Sequence, residues 1–154
     1  MVQDILSKYE GKADQYQIAR YQSLVGSINY PAVITRPDVA YAASKLAEHL
    51  QNPGLIHIAA VERCIRYLDT TRYYTLEFGA NNDITPTFES GIELLYFVGY
   101  SDASFIDNID TRRSTQGYKF ELFGGTIDWQ VKKQPTVATS STEAELQALA
   151  TVSM

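Results

Sequence analysis

The sequence predicts a mixed α+β chain, a small helical unit followed by an α/β element, and two observations carry that reading. Apolar residues recur at three-to-four spacing through roughly the first 70 positions. After a loop-like stretch, the pattern changes to short strand-like runs punctuated by glycine, closed by one last helix. The expected organisation is a helical region over 1–78, a linker over 79–93 and a strand-and-helix region over 94–154.

The elements follow in order. Ile18, Tyr21, Leu24, Val25 and Ile28 fit one helix from Tyr16 to about Tyr30, with Pro31 expected to end it. Thr35 and Pro37 then read as the start of a second helix, with Val39, Ala42, Ala43, Leu46 and Leu50 on one stripe. Asn52-Pro53-Gly54 punctuates it, and a third helix is expected from Ile56 to about Leu68. Gly79-Ala80-Asn81-Asn82-Asp83 and Pro86 mark the linker. Strands are expected over 94–102, about 116–123 and about 125–132, the last two joined by a turn at Gly124-Gly125. The final helix starts near Ser141.

Composition narrows the function classes. No apolar run approaches the ~20 residues of a membrane span, and no secretory signal pattern opens the chain. A single cysteine, Cys64, excludes an internal disulfide and fits a reducing, intracellular setting. Up to Leu76 eight Lys+Arg face seven Asp+Glu, a net +1; the remainder has five against eleven, a net −6. A basic DNA-binding protein would look different.

Two acids stand out. Leu95-Tyr96-Phe97-Val98-Gly99-Tyr100-Ser101-Asp102 reads as a strand apolar on both faces, which suits a central, covered position and leaves Asp102 at its end. Strand ends of α/β sheets are where ligand-contacting groups gather, although a lone strand-end Asp more often caps a turn. About forty residues on, Ser140-Ser141-Thr142-Glu143-Ala144-Glu145 opens a helix with capping hydroxyls and early acids. Two carboxylates brought together suit a hard divalent cation such as Mg²⁺. Glu143 and Glu145 lie about 200° apart on a helix, so they cannot both face one ion. The apolar stripe Leu146, Leu149 and Val152 centres about 40° from Glu145 and about 120° from Glu143, which favours Glu145 as the inward acid.

The surrounding residues carry a family resemblance. Gly99-Tyr100-Ser101-Asp102-Ala103-Ser104-Phe105, Arg112-Arg113-Ser114-Thr115-Gln116-Gly117-Tyr118, Trp129 and the run Lys132 to Glu145 closely resemble the ribonuclease H region of copia-type LTR-retrotransposon Pol polyproteins. Upstream, Tyr21 to Ser27, Thr35 to Ala42 and Arg63 to Leu68 resemble the segment connecting reverse transcriptase to that region. The resemblance implies a partial ribonuclease H-like fold, its three-stranded antiparallel start plus its first helix. It implies hydrolysis of RNA in RNA–DNA hybrids by two Mg²⁺ ions, with Mn²⁺ as substitute, and Asp102 and Glu145 as metal-binding catalytic acids. It also implies a cytoplasmic replication particle or the nucleus as the place of action.

The family needs four such carboxylates, and only these two are matched here. The expectation is therefore a fragment with little or no activity alone, or a non-catalytic remnant working through protein contacts. Uncovered strands would favour self-association through the sheet edge. Other candidates have simpler readings. Asp107 and Asp110 read as solvated turn acids, and Arg112, Arg113, Lys132 and Lys133 as phosphate contacts or a solubilising hairpin. Ser140, Ser141 and Thr142 read as helix caps, His57 and Cys64 as packed helix residues. Trp129 is expected to pack on the sheet, and Tyr41, Tyr67 and Tyr100 fall within core-like patterns.

Overall fold

The computed structural model describes residues 6–78, 97–108 and 111–152. The chain forms two compact units, Met1–Tyr74 and Thr75–Met154. The expected linker over 79–93 and the residues 94–96 lie outside the described residues.

The first unit packs three helices with a 3-10 turn: α1 (Gln15–Ile34), the turn Pro37–Val39, α2 (Ala40–Ala47) and α3 (Leu55–Thr70). Asp14 starts α1 by a reciprocal cap: its side chain accepts from the Gln17 N–H at 2.7 Å, and the Gln17 side chain accepts from the Asp14 N–H at 3.1 Å. Tyr21, Val25, Ile28 and Ala32 then bury one stripe of α1. Against it lie Val39, Ala43 and Leu46, and Val61 of α3, with Cys64, Ile65 and Leu68 partly buried alongside. Each large apolar side chain in this core contributes roughly 1.5–3 kcal/mol.

Three expectations need correcting here. Pro31 does not end α1, which continues to Ile34: the Pro31 carbonyl still accepts from Thr35 N at 2.9 Å and Arg36 N at 2.8 Å, closing a last turn. The ring removes the bond its N–H would have made to the Ser27 carbonyl and crowds that carbonyl, a cost the buried stripe of α1 outweighs. Thr35 closes α1 instead of starting α2, and Leu50 falls beyond α2. Tyr41 and Tyr67 are exposed, as is Tyr100 in the second unit. Replacing Pro31 with alanine restores the bond without moving the core, and it should stabilise the unit by about 1 kcal/mol, read as a higher urea midpoint.

The polar frame of this unit is more specific than its core. Asn52 donates to the carbonyls of Tyr9 (3.0 Å) and Gly11 (2.9 Å) and accepts from the Ala13 N–H at 2.8 Å, pinning the incoming chain. Gly54 precedes α3, and a side chain there would meet the Tyr9 ring at 2.8 Å. His57, fully buried, accepts the Gly54 N–H on Nδ1 at 2.8 Å.

The second unit is an antiparallel meander, β1 (Phe97–Ser104), β2 (Thr115–Leu122) and β3 (Gly125–Lys133), followed by α4 (Ser141–Val152). The β1–β2 ladder is unbroken over eight pairs, whereas β2–β3 slips between Phe120 and Glu121. The hairpin turn falls on Phe123-Gly124, one residue earlier than expected, because both adopt positive φ (49° and 78°) as a type I′ turn requires. Gly125 begins β3 instead, where a side chain would strike the Glu77 carbonyl at 2.7 Å.

Among the described residues strand β1 is neither central nor covered on both faces. With strand order β1-β2-β3 it is an edge of the described sheet, and Phe97, Val98 and Tyr100 are exposed. Helix α4 packs chiefly on β1 and less on β2. It turns Ala144 and Ala148 inward while Leu146 and Leu149 stand 60% and 56% exposed, so the leucine stripe faces away from the sheet. The small alanines let the helix come close to the strands. Two buried glutamines fix it there: Gln134 Nε2 donates to the Ala144 carbonyl and Gln116 Nε2 to Thr151 Oγ1, each at 2.8 Å.

Candidate functional site

Asp102 sits inside β1, two residues short of its end, opposite Gly117 of β2. Its carboxylate is exposed. The face it occupies follows from register. Ala103 pairs with Gln116, whose side chain reaches α4, so Phe97, Gly99, Ser101 and Ala103 lie on the helix-covered face. The Phe97–Phe120 stack at 5.2 Å belongs to the same face. Asp102 alternates onto the other face with Val98, Tyr100 and Ser104.

That outer face has its own chemistry. Tyr100, Lys119 and Trp129 form one row across the three strands. Lys119 Nζ stands 4.8 Å from the centre of the Tyr100 ring and pairs with Glu121 at 2.7 Å. Trp129 is half-buried on the sheet.

At the start of α4 the two glutamates have separate surroundings. Ser140 Oγ accepts the Glu143 N–H at 3.1 Å, and the Glu143 carboxylate accepts from Thr139 N (2.7 Å) and Thr139 Oγ1 (2.6 Å). These bonds to the charged form hold the Glu143 carboxyl below its ordinary range. Glu143 therefore serves the helix terminus, in keeping with its place in the sequence. Glu145 is exposed. The argument that turned it inward with the leucines fails, since the buried side of α4 is the alanine side.

Among the described residues, no group of three or more His, Cys, Asp or Glu side chains is placed to hold a metal ion. Asp102 lies on the face away from α4, the helix that carries Glu145. The carboxylates as they stand do not fit a two-metal donor set.

The remaining candidates are quickly placed. Arg112 and Arg113 are exposed in the loop before β2, and Lys132 is exposed on β3. Asp107 is half-buried, and Asp110 lies outside the described residues. Cys64 is a half-buried free thiol whose pKa burial raises, so it is a poor nucleophile. Sequence reasoning missed Gln116 and Gln134, the residues that dock α4, because buried glutamines carry no periodic signal.

The densest polar cluster lies in the other unit. Arg36, 7% exposed, donates to both carboxylate oxygens of Asp38 (2.9 and 2.8 Å) and to the carbonyl and Oγ1 of Thr71 (3.1 and 2.6 Å). Its guanidinium lies against the rings of Tyr67 and Tyr74, and Tyr67 donates to Asp38 at 2.8 Å. Its one signal in the sequence is an Arg-Pro-Asp spacing that puts both charges at one helix start. Bonded on every side within the chain, this cluster holds the end of α1 to the end of α3.

Comparison with known proteins adds what geometry alone does not. The chain is 45% identical over 129 residues to the secreted RxLR effector protein 161 of Plasmopara viticola, covering 84% of this chain and 83% of that one. It is 42% identical over 125 residues to the retrovirus-related Pol polyprotein from transposon TNT 1-94 of Nicotiana tabacum, covering 81% of this chain but 8% of the polyprotein. It is 35% identical over 133 residues to the corresponding polyprotein from transposon RE1 of Arabidopsis thaliana, again 86% of this chain and 8% of the relative. No family model matches the chain, and no solved structure matches it significantly. No helix among the described residues is long and apolar enough to cross a membrane.

Proposed function

Since the chain belongs to the retrovirus-related Pol polyproteins of transposons, matching one segment of them across both its units, we propose that this segment runs from the end of reverse transcriptase into ribonuclease H. Its ancestral task on this reading is hydrolysis of RNA in RNA–DNA hybrids, which would be its partner within the parent polyprotein. The observation that carries the reading is the coincidence of order. A helical unit precedes a three-stranded meander with a carboxylate on its first strand, and a helix with a carboxylate in its first turns follows.

Asp102 and Glu145 are the proposed metal-binding acids, and Mg²⁺ or Mn²⁺ the proposed cofactor of a completed site. Two carboxylates are too few for that donor set. These 154 residues by themselves are therefore expected to leave the RNA strand of a labelled RNA–DNA hybrid uncut in Mg²⁺ or Mn²⁺. Joined to the residues that follow the matched segment in the TNT 1-94 polyprotein, the chain should cleave the hybrid. Asp102→Asn or Glu145→Gln in that joined protein should lower cleavage at least about a hundredfold, as loss of a charge-stabilising group does. Cleavage by the 154 residues alone, abolished by Asp102→Asn, would overturn the expected inactivity.

A second reading is a non-catalytic remnant that works through protein contacts. It is favoured by the similarity over 83% of the length of a protein named as an effector, which is thus hardly longer than this chain. A joined protein that folds yet never cleaves would favour it.

A further inference from the structure

Residues 6–13 cross the corner between α2 and α3 without forming a helix or a strand. The three Asn52 bonds hold them there, with Leu6 packed against the helical core, the Tyr9 ring over Gly54 and a bond between the Ser7 backbone and His57. None of these contacts belongs to a helix ladder, so the segment can lift without unwinding α1, whose cap lies within Asp14 and Gln17. Beneath it His57 is fully buried, and geometry fixes its proton. Nδ1 accepts the Gly54 N–H, so the ring is neutral and its hydrogen is on Nε2. The titratable rings against it among the described residues are Tyr21 of α1, whose hydroxyl donates to the Leu46 carbonyl at 2.9 Å, and His49 of the corner. One turn on along α3 stand Ala60 and Val61, both apolar. The crossing segment brings Lys8, Glu10 and Lys12, all exposed, and the end of α2 brings Lys45 and Glu48, paired at 3.2 Å. Burial and backbone bonds, not a neighbouring charge, govern the proton affinity of His57. A second proton would turn Nδ1 into a donor facing the Gly54 N–H and set a charge beside His49.

We infer that residues 6–13 are a proton-operated strap. It opens on its own, and its opening is the step that admits water and a proton to His57, so acid lifts it while α1, α2 and α3 stay packed. The choice of cover follows from what ties each one down. Helix α1 and the corner are fastened into the core through Tyr21, Leu46 and Val61, whereas the strap is fastened mainly by polar contacts at its underside. Hydrating a charged ring therefore costs least by lifting the strap. Once lifted, it leaves the His49–His57 ring pair facing water. This inference stands apart from the nuclease reading and holds for either function.

Amide hydrogen exchange of the full chain, followed by NMR between about pH 5 and 7.5, tests it. The Ala13 amide, bonded to Asn52, reports on the strap, and the Val25 and Val61 amides report on the helices. Ala13 should be less protected than both by about tenfold or more throughout. Its protection should also fall by up to about tenfold per pH unit below 6.5, as uptake of one proton on opening requires. His57→Gln keeps an acceptor for Gly54 and should make the Ala13 protection level across this range. The chain holds only two histidines, so the His57 ring signal can be followed directly. Asn52→Ala should move its titration midpoint up toward 6.5, with circular dichroism checking that the helices remain. Equal protection of Ala13 and Val61 would overturn the inference, because the strap would then open only with the whole unit. So would an Ala13 protection that ignores pH, a slope that persists in His57→Gln, or an unmoved midpoint in a folded Asn52→Ala chain.

Discussion

Replacing Arg36 with methionine should cost the helical unit about 3 kcal/mol and lower its urea midpoint by about 2–3 M. A unit of this size has only roughly 4–10 kcal/mol in total, so the variant would be close to unfolding. The size of the loss follows from what Arg36 leaves behind. Asp38 loses both guanidinium bonds and keeps the Tyr67 hydroxyl and a backbone bond, and the Thr71 carbonyl and hydroxyl lose the guanidinium donor. The lower end of the range for broken buried pairs applies because the Asp38 side chain is 36% exposed. Asp38→Asn should cost less, since Arg36 keeps Thr71 and both tyrosine rings. The pair also sets an acid limit. The Arg36 guanidinium holds the Asp38 carboxyl below its ordinary 3.8. Its contribution is therefore complete above that value and is lost as the pH falls through the folded-state pKa. An Arg36→Met chain with an unchanged urea midpoint would show that the cluster holds nothing together.

His57→Ala should cost a further ~2–3 kcal/mol at neutral pH, the effect of emptying a buried site and orphaning the Gly54 N–H together. The acid response carries the more specific signature. His57 is fully buried, and burial lowers its pKa below the ordinary 6.5. The unfolded chain therefore binds more protons just below that value. Stability should be complete above pH 6.5 and fall as the pH drops, with a slope that one proton caps at about 1.4 kcal/mol per pH unit, until the folded-state pKa is passed. A proton on Nδ1 would also displace the Gly54 bond. Around the ring stand His49, tilted 31° with its centre at 4.0 Å, and the edge of Tyr21 at 6.5 Å, so no carboxylate among these ring contacts steadies the charge, and the hydrogen bond to the Ser7 backbone only partly offsets burial. Glutamine is a normal third residue of a helix and can accept the same Gly54 N–H. His57→Gln should therefore keep the cap and remove most of the slope. Denaturant midpoints between about pH 5 and 8 for the wild type and this variant decide it: equal slopes would locate the titration elsewhere.

How much of this was legible depended on periodicity. Tyr21, Val25 and Ile28 announced α1, and Val39, Ala43 and Leu46 the second helical stripe, because buried helix faces must repeat at three and four. The meander was equally visible from its glycines. What failed were inferences that took the largest apolar side chains to mark the inside. Leu146 and Leu149 are apolar and exposed, while Ala144 and Ala148, nearly silent in any hydropathy pattern, make the contact. Apolar residues on both faces of β1 suggested a covered strand, yet the described residues leave it at an edge. The acids Asp102 and Glu145 were legible as candidates through their neighbours, but two carboxylates cannot reveal in sequence whether their elements bring them together. Arg36 and His57 carry much of the polar specificity and gave only short local hints.

The order of the sheet also determines how the second unit comes into being. Each described strand pairs with its neighbour along the chain, so the hairpins can zip on the scale of about 1–10 μs without waiting for distant segments. Helix α4 is different, because its main partner is β1, some forty residues earlier. Its docking must close a long loop, and among the described elements of this unit it should limit the rate. On a ribosome the meander would form first and wait, its alanine-sized dock open, until Ser141–Val152 emerges to fill it.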